Sequence, residues 1–295
     1  MPETRVILHF LRHEDKETVV EKPDTDIELK ESGRVAAFER GLKEPAHLEV
    51  SWAAGSNRIR ALHTALLRMA AGTGSVTAEM SYAEAKASVE AEMKYGEKVV
   101  SMPELNFNFS GSKAFEAEAM GSYKAGRGLE YLLRDSDRRV VELGDKDSFS
   151  YSRVAANYAS LISREMQVGN NFNKLVKQKP DKYAEFDNKL ERYFGTHQTV
   201  PECFYMKVLE KFQGRAAAEK FIDKLRDKDG KVFGFDFQEG IDIIVTNGAN
   251  GQSIVIKNMR GLPDVALTPE LLADIIRDAE RLDKTIDKDS KAIND

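Results

Sequence analysis

The sequence contains a single cysteine, Cys203, among its 295 residues. This excludes an intrachain disulfide and a cysteine cluster around a metal. No apolar run is long enough to span a bilayer. The first residues also lack the basic-then-apolar pattern of a signal peptide. We therefore expect a cytoplasmic protein with no membrane partner and no metal.

An excess of positive charge is also lacking. Lys and Arg number 44 and Asp and Glu number 49, which gives a formal net charge of -5. Because basic and acidic residues are interleaved throughout, we expect no nucleic-acid partner. Hydrophobic residues make up 41% and charged residues 32%, which is typical of a globular protein. The length suffices for a sizeable core, in one large domain or two small ones.

Strand and helix signals alternate at both ends of the chain. Residues 6–11 form a compact apolar run that ends just before His13. Residues 48–52 read as a strand, followed by a small-residue turn and a helix over residues 59–69. Residues 241–246 are the second strongly apolar strand candidate. This alternation predicts an α/β fold with a mainly parallel sheet flanked by helices.

The middle of the chain differs from the ends. Residues from about 75 to 240 have helical patterning with few strand signals, so we predict a mostly helical insertion or cap there. Thr268 and Pro269 begin a closing helix, and residues 286–295 are expected to fray. We treat residues 1–295 as a single α/β domain that includes the insertion.

The stretch VILHFLRHEDK ends a strand-like run in Arg12 and His13. Ligands in open α/β sheets gather outside the carboxyl ends of strands. The cationic neighbours Arg12 and Arg60 favour a neutral, nucleophilic imidazole, and their planar forks match phosphate oxygens. Together these residues could hold a phosphoryl group for transfer to His13. Ser56 and the backbone N–H groups at the following helix start could add to phosphate binding.

These residues carry a resemblance to a known family. The stretch FLRHED resembles the Leu-x-Arg-His signature of the histidine phosphatase superfamily, the phosphoglycerate-mutase-like group. GSNRIRALHTA resembles the second motif of that family, and ELKESGRVAAFERGL, between the two, resembles its helix start. The matched positions are Ser56, Arg60, Thr64 and Ala65 in the second motif and Leu29, Gly33 and Ala36 in the helix start.

The resemblance implies a hydrolase of phosphate monoesters, with His13 as the nucleophile and Arg12 and Arg60 as the phosphate clamp. Its substrate would be a phosphorylated small molecule or a phosphoprotein, and it would need no metal or organic cofactor. The stretch IDIIVTNGANG resembles the strand that in the family ends in Val-Thr-His-Gly. It implies that Asn247 replaces the second active-site histidine and binds substrate together with Gly248.

The sequence departs from the family pattern at two places that bear on the chemistry. The family usually has glycine after the signature histidine, where this sequence has Glu14. ELNFNFSG matches a frame that carries a glutamate in one branch, but Phe107 stands at that place. We nominate the nearby Glu104 as the catalytic acid, with Glu116 and Glu118 as rivals.

Other interpretations stay open at this point. Asn247 and Phe107 both favour a catalytically impaired pseudophosphatase that keeps a phosphate site for binding or regulation, and Asn247 could also be an engineered change that traps a ligand. The stretch IIVTNGANGQSIVIK could equally be a plain β-hairpin. The sequence leaves substrate identity and oligomeric state undetermined. The remaining histidines carry no catalytic pattern: His9, His47, His63 and His197.

Overall fold

The computed structural model describes residues 3–19, 21–92, 99–258 and 263–294. Within them, seven strands form one sheet in the order β3-β2-β4-β1-β5-β6-β7. The strands are β1 (Thr4–Arg12), β2 (Ser51–Gly55), β3 (Val99–Ser101), β4 (Lys189–Thr196), β5 (Gly240–Gly248), β6 (Gly251–Asn258) and β7 (Val265–Leu267).

The predicted α/β fold is confirmed, but the sheet is mixed. Neighbouring strands from β3 to β1 are parallel, whereas β1 with β5, β5 with β6 and β6 with β7 are antiparallel. Only half of the neighbouring pairs are therefore parallel. The expectation of a mainly parallel sheet was wrong for the edge formed by β5, β6 and β7.

The antiparallel edge arises from a hairpin. Gly248 pairs with Gly251 across a two-residue turn, so β6 returns directly along β5. A two-residue Gly/Asn-type turn is the commonest hairpin connection, and it leaves no room for a crossover helix. The hairpin considered as an alternative for this stretch is the arrangement found.

The chain divides into two compact units. The first contains Met1–Asn106, Arg164–His197 and Phe237–Leu267, and the second contains Phe107–Ser163, Gln198–Asp236 and Thr268–Asp295. The first unit holds the sheet and the helices α1 (Glu31–Lys43), α2 (Ile59–Ala70), α3 (Tyr82–Glu92) and α8 (Pro180–Ala184). The second holds α4 (Lys113–Lys124), α5 (Gly128–Tyr131), α6 (Asp137–Leu143), α9 (Val200–Gln213), α10 (Arg215–Lys224) and α11 (Pro269–Asn294), while α7 (Tyr151–Gln178) has residues in both.

The region predicted to be a helical insertion, residues 75–240, is more varied than its patterning indicates. It is largely helical, but it also supplies β3 and β4 to the sheet. After Pro180 only the short α8 forms before β4 begins at Lys189. At the end of the chain α11 continues to Asn294, through the residues expected to fray. That helical residues cover the active site stays a prediction.

In the first unit, α2 packs tightly against the sheet. From Arg60 to Ala70 every residue of α2 is buried, and Leu62, Leu66 and Tyr193 belong to one apolar cluster. A Cβ atom at Gly195 in β4 would collide with the carbonyl oxygen of Ala61. The absence of a side chain at Gly195 therefore sets how closely α2 approaches the sheet.

The second unit is held by aromatic rings and ion pairs between its own helices. Tyr205 packs edge-on against Phe221, with 4.9 Å between ring centroids. Lys207 and Lys211 of α9 both contact Asp278 of α11 at 2.9 Å. Phe107, the residue at the family's glutamate position, lies in this unit and packs against Phe109 at 4.3 Å between centroids.

We predict that Gly195→Ala destabilises the protein by about 3 kcal/mol, because an added methyl group in a tightly packed site forces strain. The measurement is the free energy of unfolding from denaturant titration. The control is Gly121→Ala in α4, where a Cβ atom meets no other atom within 4 Å, so the variant should be neutral or slightly more stable. A Gly195→Ala protein as stable as the parent would contradict the close approach of α2 to β4.

Candidate active site

Three neighbouring parallel strands of the first unit each end directly before a polar residue. Ser56 follows β2, His197 follows β4 and His13 follows β1. The pairing Arg12↔Thr196 sets the last residues of β1 and β4 side by side. The backbone N–H of His13 donates to Thr196 O at 2.9 Å, and that of Ser56 donates to Gly195 O at 3.1 Å. The three side chains therefore emerge at one edge of the sheet.

Hydrogen bonds at both ring nitrogens orient the side chain of His13. Its Nδ1–H donates to the carbonyl oxygen of Glu14 at 2.6 Å, so the lone pair lies on Nε2. That nitrogen accepts from Arg60 Nε at 3.2 Å. Burial of the ring, followed by the charges of Arg60 and Arg12, lowers the pKa of His13 to about 3. The imidazole is therefore neutral at physiological pH, with Nε2 as its nucleophilic atom.

His197 also belongs to the site, although no role was predicted for it from the sequence. Its ring lies 5.1 Å from that of His13, centroid to centroid, at an interplanar angle of 70°. Nε2 shares a hydrogen bond of 2.7 Å with Ser56 Oγ. Burial, followed by the proximity of His13 and Arg58, lowers the pKa of His197 well below its usual value. The available signal was the stretch YFGTHQ, which, like HFLRHE, ends an apolar run in histidine.

Arg60 reaches His13 from the first turn of α2. Only 5% of its surface is exposed. Thr64 Oγ–H donates to the carbonyl oxygen of Arg60 at 2.9 Å, and the same oxygen of Thr64 accepts from the backbone N–H of Glu14 at 3.2 Å. These bonds tie the start of α2 to the loop that carries His13. The helix starts at Ile59 with Arg58 as its N-cap residue, and Ser56 accepts from the N–H of Arg58 at 3.3 Å.

Arg12 is fixed beside His13 by its backbone and its side chain. Its backbone N–H donates to Glu239 O at 2.9 Å, and its carbonyl oxygen accepts from Gln238 N at 3.0 Å. The guanidinium carbon lies 4.3 Å from the centroid of the Phe237 ring, a distance typical of a cation–π contact. Arg12 therefore contributes positive charge next to His13.

Two carboxyl groups of the first unit are relevant to proton transfer. Glu14 is buried, and Gln238 Nε2 donates to its Oε1. Burial raises the pKa of Glu14, so it keeps a proton more readily than an exposed glutamate does. Glu104, the residue nominated from the sequence, forms an ion pair of 2.7 Å with Arg164.

The structure does not bring Asn247 to this site. Because β5 runs antiparallel to β1, Asn247 lies opposite Thr4 at the start of β1. Eight residues of extended strand separate Thr4 from Arg12, a distance of roughly 26 Å at the usual rise per residue. Asn247 Oδ1 instead accepts from Gln252 Nε2 at 3.0 Å. The expectation that Asn247 and Gly248 bind substrate beside His13 was wrong.

The chain has distant similarity to known proteins of solved structure. A scan of family models and a search of curated proteins found no match. A candidate α-ribazole-5′-P phosphatase from Escherichia coli is 14% identical, with 88% of this chain and 98% of that chain covered and a TM-score of 0.41. The mycobacterial glucosyl-3-phosphoglycerate phosphatase is 16% identical, with coverages of 90% and 97% and a TM-score of 0.41. We base the functional conclusion on the geometry of the site and not on these similarities.

The described residues lack two features, a membrane-spanning helix and a cluster of metal ligands. None of their helices is long and apolar enough to cross a membrane. The same residues contain no group of three His, Cys, Asp or Glu side chains arranged to hold a metal ion.

The pKa of a third histidine, His63, is also lowered, as are the pKa values of His13 and His197. His63 is fully buried on α2, and among the described residues no group hydrogen-bonds to either ring nitrogen. Burial, followed by the charge of Arg34, lowers its pKa to about 3. The unfolded state, with a pKa near 6.5, therefore binds protons that the folded state does not.

We predict that the free energy of unfolding is highest above pH 6.5 and falls as the pH decreases towards 3. Each such histidine contributes up to about 1.4 kcal/mol per pH unit. His63→Leu should reduce that slope by about one proton. The measurement is denaturant unfolding at a series of pH values, with His47→Leu, at an exposed histidine, as the control for losing an imidazole. An unchanged slope in His63→Leu would show that His63 is not held neutral.

Proposed function

We propose that the chain is a phosphomonoesterase that forms a phosphohistidine on His13. The observation that carries the proposal is the arrangement at His13 Nε2, whose lone pair faces the Arg60 guanidinium. His197 lies alongside at the end of the adjacent strand. A nucleophile, a fixed positive charge and a further donor side by side are the parts that phosphoryl transfer needs.

In the first step, His13 Nε2 attacks the phosphorus atom and the bond to the ester oxygen breaks. The hydrogen bond from Nδ1 to Glu14 O holds the ring in line and supports the positive charge that develops on it. Arg60 and Arg12 neutralise the charge on the phosphoryl oxygens. His197, kept in place by Ser56, supplies a further donor to those oxygens.

In the second step, water attacks the phosphohistidine and releases inorganic phosphate and free His13. The departing alkoxide of the first step takes a proton from a carboxylic acid, and the resulting carboxylate then takes a proton from the attacking water. Glu14 has the raised pKa that this role requires. Glu104 is the other nominee, and its assignment stays a prediction. The chemistry requires no metal or organic cofactor.

The competing hypothesis of a pseudophosphatase has lost one of its two reasons. It rested on Asn247 in place of a second histidine, and on Phe107 in place of a glutamate. His197 now supplies a second histidine beside His13, so Asn247 no longer argues for impaired turnover. The proposed substrates are phosphorylated small molecules or phosphoproteins, since the site recognises the phosphoryl group itself.

We predict that the protein hydrolyses a generic aryl phosphate and that His13→Ala abolishes this activity. His197→Asn should lower kcat by about a hundredfold, because one donor to the transition-state oxygens is lost. The measurement is steady-state release of the phenolate.

Two control variants accompany this assay. His47→Asn makes the same change at an exposed histidine and should leave the rate unchanged. Asn247→His should not raise the rate, because Asn247 lies at the opposite end of β1. Full activity in His13→Ala would disprove the proposed nucleophile. Inactivity of the parent would favour the pseudophosphatase hypothesis.

The proton donor can be identified from its dependence on the leaving group. An alkyl phosphate needs a proton on its leaving oxygen, whereas a nitrophenyl phosphate does not. We predict that Glu14→Gln lowers kcat on the alkyl substrate by about a hundredfold and changes the aryl rate little. Glu104→Gln should change kcat on the two substrates by the same factor. The reverse pattern would assign the acid to Glu104.

A further inference from the structure

The Asp24 carboxylate lies among three positive side chains, of which Arg60 belongs to the candidate active site. Its Oδ2 accepts from Arg60 Nη2 at 2.9 Å and from Arg58 Nε at 2.6 Å. Its Oδ1 accepts from Lys16 Nζ at 2.8 Å. A carboxylate held by several cationic donors is the protein group most like a bound phosphate in charge and in acceptor geometry.

Asp24 engages the same guanidinium that faces the nucleophile. Arg60 Nε donates to His13 Nε2 at 3.2 Å, Nη1 donates to Asp24 O at 2.7 Å, and Nη2 donates to Asp24 Oδ2. Three of the five N–H groups of Arg60 are thus engaged, two of them by Asp24. A phosphoryl group held in line with His13 would need donors from this guanidinium. Asp24 and the phosphoryl group therefore compete for Arg60.

The described backbone on the C-terminal side of Asp24 is anchored by apolar burial. We call residues 21–29 the strap. At its end Ile27 and Leu29 are buried, and Leu29 pairs with Lys16 in an isolated β-bridge. At its tip Pro23 and Asp24 are exposed. The tip is therefore tied to the site through the polar contacts of Asp24, while the base of the strap is fixed by apolar burial.

The charge on Asp24 is secure at neutral pH. Partial burial acts to raise the pKa of Asp24, but hydrogen bonds from Arg60, Lys16 and Arg58 outweigh it and hold that pKa below its usual value. The carboxylate therefore remains an anion under all conditions in which phosphate is a dianion.

We propose that Asp24 is a built-in competitor that occupies the phosphate position, so that a ligand binds only by displacing the strap tip. The inference rests on the proposed function and adds a selectivity rule to it. Only a group that binds the three cations better than a carboxylate can enter, which favours a dianionic phosphate over a monoanionic carboxylate ligand. The apparent Kd equals the intrinsic Kd divided by the fraction of molecules with the strap displaced.

The test is calorimetric titration of the full chain with inorganic phosphate. Asp24→Asn and Asp24→Ala should each lower the Kd by about tenfold, corresponding to a displaced fraction of about one tenth in the parent. The matched control is Asp26→Asn, which removes the same charge two residues away. The Asp26 side chain bonds to Thr25 Oγ1 in the same turn, so this variant should bind phosphate as the parent does.

The outcomes separate this inference from the proposed function. Tighter binding in both Asp24 variants, with Asp26→Asn unchanged, supports the competitor. An unchanged or raised Kd in the Asp24 variants, with phosphate binding that Arg60→Ala abolishes, overturns the competitor and leaves the proposed function standing. Equal tightening by Asp24→Asn and Asp26→Asn would indicate a general charge effect and also overturn it. Absence of binding in every variant would overturn both.

Discussion

The parallel register of β2, β4 and β1 is the constraint on which the candidate site depends. It aligns Gly55 with Gly195, and Thr196 with Arg12, so that the next residue of each strand emerges at one edge of the sheet. A shift by one residue would turn each of these side chains to the opposite face. The close approach of α2, permitted by Gly195, then brings Arg60 to His13. The geometry of the candidate site is therefore set by strand pairing and helix packing, and only locally by hydrogen bonds.

In the candidate site, a carboxylate balances the positive charge of the guanidinium groups, while the two imidazoles stay neutral. Burial, aided by the charges of the neighbouring guanidiniums, lowers the pKa values of His13 and His197, which favours a neutral nucleophile and leaves an excess of positive charge. Asp24 provides the compensating anion in the structure described. The proposed displacement of Asp24 would make such a site complementary to a dianion, because one carboxylate would be replaced by two negative charges while the imidazoles remain neutral.

The parts of the fold that follow local patterning were predictable. The apolar run before His13 and the turn and helix containing Arg60 formed as their sequences indicate. β4 was not predictable in the same way, because Glu191 and Arg192 interrupt its pattern. Those charges are paired in the fold, since Lys189 of the same strand contacts Glu191 at 3.5 Å and Glu165 of α7 contacts Arg192 at 3.4 Å. Because β4 was not predicted, His197 was not recognised either. The motif resemblance was then assigned to the strand that contains Asn247, and the direction of that strand is set only by its pairing in the tertiary structure.

The most direct test of the central claim is a crystal structure of the protein with orthovanadate, a mimic of the transferring phosphoryl group. The account predicts a five-coordinate vanadium bonded to His13 Nε2, with its oxygens within hydrogen-bond distance of Arg60 and His197. The Asp24 carboxylate should have left Arg60 in that complex. Vanadate bound elsewhere, with Nε2 of His13 still bonded only to Arg60, would contradict the account.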